Sequence, residues 1–295
     1  TFIAEPDGKM AAPSAIQFVI TLDSDTRLPR DAARKLIGKM LHPLNRPVLD
    51  AKRQRIVEGY GLLQPRVTAS LPEDSEASTF QKLFSSAGGI DPYAGAISDV
   101  YQDLFGEGSF AGKGIYDIDA FEAATAGRFP DNALLSHDLI EGIYVRAGLA
   151  TDIEVVEEFP GRYDVARSRD HRWARGDWLL LPWLISGRSK IGPLFTPSAV
   201  DHLPSLARWK LFDNLRRTVS PVAAFLALTI GWTLPPVAAA IWTVFILATL
   251  ILPPMLSVFS ALSSRDPEAS LRSHFATVWR DFLLALEQAF IDVTL

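Results

Sequence analysis

From Thr218 to Ser264 the chain contains no Asp, Glu, Lys, Arg or His. A run this long without a charge is too long for an ordinary core helix and suffices for two bilayer crossings of about 20 residues each. Leu234-Pro235-Pro236 interrupts it, and proline both lacks an N–H and disfavours helix in the residue before it. The run therefore predicts a helical hairpin over residues 218–233 and 237–262, with a kink at Pro253-Pro254. Lys210, Arg216 and Arg217 precede the hairpin, Arg265 follows it, and the connecting loop carries no basic residue. The positive-inside bias then places residues 1–217 and the C-terminal side in the cytoplasm. A buried hairpin in a soluble protein is the alternative. Residues 271–290 repeat apolar side chains at helical spacing (Phe275, Val278, Trp279, Phe282, Leu283), which suits an amphipathic helix on a membrane surface or the start of another membrane segment.

Residues 1–217 have a different character. Ala15–Leu22 is a short apolar run ending in acids, as a buried strand does. Pro29 opens a helical pattern through Ala33, Leu36, Ile37, Met40 and Leu41, stopping near His42-Pro43. Strands are expected at 55–63 and 153–158, helices at 138–147 and 173–184, a loop at 70–78, and irregular backbone from Phe105 to Gly114, where glycines cluster. Strands alternating with helices predict an α/β sandwich with a largely parallel sheet. With 29 basic and 34 acidic residues, the charge balance gives no reason to expect a nucleic-acid partner. The absence of cysteine excludes a disulfide framework and thiolate metal ligation.

Four constellations can carry chemistry. Asp23-Ser24-Asp25 stands at the end of a predicted buried strand, where open α/β sheets bind ligands. Its carboxylates are hard oxygen donors suited to Mg²⁺ or Mn²⁺ with substrate phosphates, although Asp-Ser-Asp is also good turn chemistry. Asp138 and Glu141, one helical turn apart, offer a general base and a partner, or a structural capping box. Arg169, Arg172 and Arg175 recur every three residues beside Trp173 and Trp178. They can clamp a diphosphate while the tryptophans stack on sugar rings, or they can anchor an interfacial helix. Gly112 and Lys113 lie in a glycine loop able to approach an acceptor sugar, or forming an ordinary turn.

Taken in order, the motifs resemble the processive family-2-type glycosyltransferases such as cellulose and hyaluronan synthases. Arg169-x-x-Arg172-Trp173 stands where those enzymes carry Q-x-x-R-W, and Ser136-His137-Asp138 where they carry T-E-D. Longer strings narrow the resemblance. Ile20–Arg30, Glu58–Arg66, Asp99–Phe110 and His137–Gly142 look like the cyclic β-1,2-glucan synthases, and the likeness covers most of residues 15–200. It implies a GT-A-like nucleotide-sugar transferase domain over residues 1–217, followed by transmembrane helices over 218–264 and an interfacial helix over 265–295. It also implies a bacterial inner-membrane, multi-pass location, UDP-glucose as donor, Mg²⁺ or Mn²⁺ as metal, and inverting transfer to a growing β-glucan that is later cyclised. In this assignment Asp23 and Asp25 hold metal and diphosphate, Asp138 is the base with Glu141 as partner, Arg169, Arg172, Trp173 and Arg175 line the donor site, and Gly112, Lys113 and Trp178 face the acceptor. Because about twenty residues precede the Asp-x-Asp motif, the chain is expected to be a segment of a longer protein that lacks much of the nucleobase pocket and makes no glucan alone. A different processive synthase, a non-catalytic membrane subunit and a transporter are the competing expectations.

Overall fold

The computed structural model describes residues 16–70, 78–84, 99–129, 134, 138–186, 203–263 and 270–294. The expected loop at 70–78 and the Ser136-His137 part of the acidic motif fall mostly or wholly outside these residues. The chain forms two compact units. One comprises Thr1–Leu71, Ala87–Pro160 and Arg167–Phe212; the other comprises Pro72–Ser86, Gly161–Ala166 and Asp213–Leu295.

The first unit is built on a five-stranded sheet of β1 (Phe18–Thr21), β2 (Thr26–Arg27), β5 (Leu62–Ala69), β6 (Gly114–Asp117) and β7 (Ala147–Glu157), in the order β1-β6-β5-β7-β2. A separate ribbon pairs β3 (Val48–Asp50) with β4 (Arg55–Glu58). Among the described residues only β5 and β7 pair in parallel; β1–β6, β5–β6 and β2–β7 are antiparallel. The expectation of a largely parallel sheet is therefore corrected to a mixed one. The reason is local: β6 and β2 are short strands that sequence periodicity does not announce, and both enter the sheet against its direction.

The long parallel pair forms because both strands are almost continuously buried, as parallel strands covered on both faces are. Their register shifts between Pro65 and Arg66, where proline cannot donate to the ladder. The expected single strand at 55–63 is two strands, split at Gly59. That residue has φ +64, and a Cβ there would lie 1.9 Å from the Arg46 carbonyl oxygen, so only glycine turns this corner.

Alternate side chains feed two layers. Leu63, Ile115, Ala150 and Ile153 pack with Ala32, Leu36 and Met40 of α1 (Ala32–Met40) on one face. Leu62 and Ala147 face the other layer, with Ala120 and Ala124 of α4 (Ile118–Thr125), Ile140, Ile143, Tyr144 and Val145 of α5 (Asp138–Val145), and Ala207 and Leu211. Leu62 and Leu63 alternate between the faces as in a sheet covered on both sides, and on β7 the register shift opposite Pro65–Arg66 changes the phase between Ala150 and Ile153. On α1 the buried face is Ala32, Leu36 and Met40, while Ile37 and Leu41 are exposed. Helix α3 (Val100–Phe105) is capped by Asp99, whose carboxylate accepts from the Tyr101 and Gln102 amides and also from Ser109 N at 2.9 Å. The expected helix at 173–184 is two helices, α6 (Tyr163–Leu179) and α7 (Leu181–Ser186).

The second unit is helical: α2 (Thr79–Phe84), the later part of α8 (Ser205–Gly231), α9 (Pro236–Ser263) and α10 (Leu271–Thr294). The break between α8 and α9 falls at residues 232–235, and Pro236 opens α9, a position where its missing N–H costs nothing. Gly231 makes room for Trp242, whose Cδ1 would lie 2.0 Å from any Cβ there. Trp242 Nε1 donates to Ala227 O at 2.7 Å and Trp232 Nε1 to Thr243 Oγ1 at 3.1 Å, fixing the hairpin. Met255 and Val258 pack on Val278 and Ala285 of α10, and Gln288 Nε2 donates to Leu83 O. Val222, Phe225, Ile230, Val237, Ile241 and Phe245 are exposed. Among the described residues no helix is long and apolar enough to cross a membrane.

Candidate active site

The Asp23-Ser24-Asp25 segment links β1 to β2, strands on opposite edges of the sheet. It therefore crosses the sheet ends in a few residues. Thr26 N donates to Asp23 O at 3.0 Å, closing a turn, and Thr26 pairs with Glu157, the last residue of β7. The turn reading of this motif holds, and the turn delivers both carboxylates to the carboxyl end of β7. Glu157 continues the buried register of Ile153 and Val155, and only 3% of its surface is exposed. Asp23, Asp25 and Glu157 each offer a carboxylate oxygen, all within 4.8 Å of one another. Three hard oxygen donors so placed fit Mg²⁺ or Mn²⁺.

Lys113 completes the cluster. Its Nζ lies 2.8 Å from Asp23 Oδ2 and 2.9 Å from Glu157 Oε2. Burial by itself lowers the Lys113 pKa, but Asp23 and Glu157 outweigh it and hold the ammonium above its ordinary range. Arg169 Nη1 stands 3.9 Å from Glu157 Oε1, and its guanidinium lies 4.8 Å from the Trp173 ring centroid and 5.8 Å from that of Phe159. An acid buried to this degree is tolerable because two cations face it; removing a partner of such a buried pair costs about 3–5 kcal/mol.

One residue before Lys113, Gly112 has φ +87, and a Cβ on it would lie 2.9 Å from Asp138 Oδ2. Successive loop residues thus touch the two acidic groups: Gly112 the Asp138 carboxylate, Lys113 the Asp23–Glu157 pair. The loop is fixed from behind. Ala111 N donates to Gln64 Oε1 at 2.6 Å, Gly108 N to Ala147 O at 2.7 Å, and Lys210 Nζ to the carbonyls of Glu107 and Gly108 at 3.1 and 2.8 Å. Lys210 is consequently buried, and burial pulls its pKa down to about 8. Lys210, which precedes the charge-free run in sequence, thus donates to the glycine loop.

Asp138 and Glu141 both lie in the first turn of α5. Burial, then the neighbouring Asp138 charge, raises Glu141 to about 7. Tyr116 is raised by burial and by Glu141, which keeps its hydroxyl protonated.

The other predicted residues do not gather. Arg172 and Arg175 are exposed, because a spacing of three turns each successive residue about 60° around the helix, and Arg169 alone reaches the cluster. Trp178 is exposed as well. Glu157, Gln64 and Phe159 belong to the site and were not singled out from sequence. The available signal for Glu157 was an acid in the buried phase of a period-2 strand.

Comparison with known proteins agrees with the motif strings. The chain is 50% identical over 287 residues, 97% of its length, to the cyclic β-(1,2)-glucan synthase NdvB of Rhizobium meliloti (strain 1021). The chain is homologous to a segment of that synthase. It spans about a tenth of the relative's length. No family model matches the chain.

Proposed function

We propose that this segment carries the glucosyl-transfer site of a cyclic β-1,2-glucan synthase. In this reading UDP-glucose is the donor and a growing β-glucan the acceptor. The observation that carries it is the loop at Gly112-Lys113, which sets a candidate base, Asp138, beside a three-carboxylate cluster. Homology to a synthase over nearly the whole chain supports the same reaction class.

The chemistry follows from those positions. Asp138 takes the proton of the acceptor hydroxyl as its oxygen bonds to the glucose anomeric carbon. The bond from that carbon to the UDP oxygen breaks on the opposite face, so configuration inverts and UDP leaves with the electron pair. Asp23, Asp25 and Glu157 would hold Mg²⁺ or Mn²⁺, which when bound offsets the charge gathering on the diphosphate. Arg169 stands ready on the same side, and a fixed cation there is worth more than in water because the site is already organised. Gly112, lacking a side chain, leaves the acceptor room to approach Asp138. Trp173, partly exposed over Arg169, offers a ring face to a sugar.

We further propose that the apolar hairpin of α8 and α9 lies in a lipid bilayer, with the sheet-bearing unit on the cytoplasmic side. The support is the charge-free run 218–264 and the apolar side chains exposed along both helices. The test of the catalytic reading is Asp138→Asn in the full-length enzyme. Turnover should fall by roughly 10²–10⁴-fold while UDP still binds; turnover like the wild type contradicts the assignment.

A further inference from the structure

The three-carboxylate cluster is already holding a cation of the protein's own. Lys113 Nζ sits 2.8 Å from Asp23 Oδ2 and 2.9 Å from Glu157 Oε2, two of the three groups whose oxygens converge within 4.8 Å. The Glu157 contact is a charge pair, since Oε2 takes no well-formed hydrogen bond. A divalent ion of the Mg²⁺ class binds carboxylate oxygen at about 2.1 Å. The ammonium already takes up part of the oxygen capacity of two of these carboxylates, and its charge repels an incoming divalent ion at this distance.

We propose that Lys113 is a resident counter-cation of the cluster, displaced when the divalent ion enters. The inference rests on the reading of Asp23, Asp25 and Glu157 as the metal-holding residues. In the absence of the ion, Lys113 keeps three converging carboxylates from repelling one another and keeps buried Glu157 compensated. Entry of the ion moves the ammonium off Asp23 and Glu157. Lys113 thus sets the affinity for free metal low and ties release of a catalytic-site cation to metal arrival. A lysine so placed differs from the acceptor contact expected from sequence: its partners are the metal carboxylates.

Two measurements on the full-length protein test this, neither of which reads turnover. Mn²⁺ binding is followed by electron paramagnetic resonance in wild type, Lys113→Met, Asp25→Asn and Glu157→Gln. Lys113→Met should bind Mn²⁺ at least tenfold more tightly than wild type, and the two carboxylate variants at least tenfold more weakly. Lysine acetylation of the wild-type protein, mapped by mass spectrometry, needs no variant to fold. Saturating Mn²⁺ should raise the labelling rate of Lys113 several-fold and leave the other lysines unchanged. Equal or weaker Mn²⁺ binding by Lys113→Met, or Lys113 labelling indifferent to Mn²⁺, overturns the displacement. If Asp25→Asn and Glu157→Gln still weaken binding in that case, the metal site stands without the displaceable lysine. If they leave binding unchanged too, the metal reading falls with it.

Discussion

Gly112 is the residue on which the site's spacing depends. Its φ of +87 disfavours any side chain, and a Cβ would press on the Asp138 carboxylate at 2.9 Å. Gly112→Ala in the full-length enzyme should therefore lower turnover by roughly ten- to a hundredfold with a stability loss of about 1–2 kcal/mol, measured by donor-dependent incorporation and by thermal melting. Glu141 supplies a pH signature. Its pKa rises from 4.5 to about 7 through burial and the Asp138 charge, so the folded state retains a proton that the unfolded chain releases. Stability from this group is thus present below pH 4.5 and is lost as pH rises to about 7, by on the order of 2–3 kcal/mol. Glu141→Gln should flatten that slope in denaturant melts across pH 4.5–7; an unchanged slope would remove Glu141 as its source. At this scale the sequence motifs point to Asp23, Asp25 and Arg169, which the structure brings to Glu157, and to Asp138 beside Gly112. Arg172 and Arg175 stand in the same motif but are exposed, since spacing on a helix does not say which face meets a neighbour. Glu157 was under-read because its meaning lies in the phase of a strand whose start at Ala147 was not evident.

The elements repeat that lesson. Helix α1 is readable from its apolar period and from the prolines that flank it, and the hairpin from its charge-free run broken at Pro235-Pro236. The first hairpin helix starts at Ser205 and not at 218, because its amino-terminal turns carry charged residues and Pro221 lies inside it. The sheet was not, because β2 has two residues and β6 four, too few to show alternation. The split of 55–63 rests on one backbone conformation, at Gly59. Gly59→Ala should cost at least about 2 kcal/mol, since both φ and the Arg46 carbonyl oppose a side chain. The glycine loop is an element in its own right, held by Gln64, Asp99 and Lys210. Lys210→Met strands two buried carbonyls, a loss of about 1–3 kcal/mol. It should speed amide hydrogen exchange across residues 106–112 more than across β5 or β7; equal exchange in both would mean that the lysine does not hold the loop.

At the scale of the whole molecule, the sheet-bearing unit carries the candidate site and the helical unit has an apolar exterior. The exposed side chains of α8 and α9 form the kind of contiguous apolar surface that soluble monomers rarely display. The chain should therefore float with phosphatidylcholine–phosphatidylglycerol liposomes in a density gradient and stay with them in high salt. Sedimentation as a free monomer would contradict the bilayer proposal without touching the sheet-bearing unit. The central claim is the assignment of the Asp138 and Asp23–Asp25–Glu157 groups to glucosyl transfer. Its most direct measurement is incorporation of radiolabelled glucose from UDP-glucose by the full-length enzyme, comparing wild type with Asp138→Asn at saturating Mn²⁺ and with UDP binding followed in parallel. The account predicts incorporation reduced by roughly 10²-fold or more with UDP binding retained. Incorporation at the wild-type rate in that variant would contradict it.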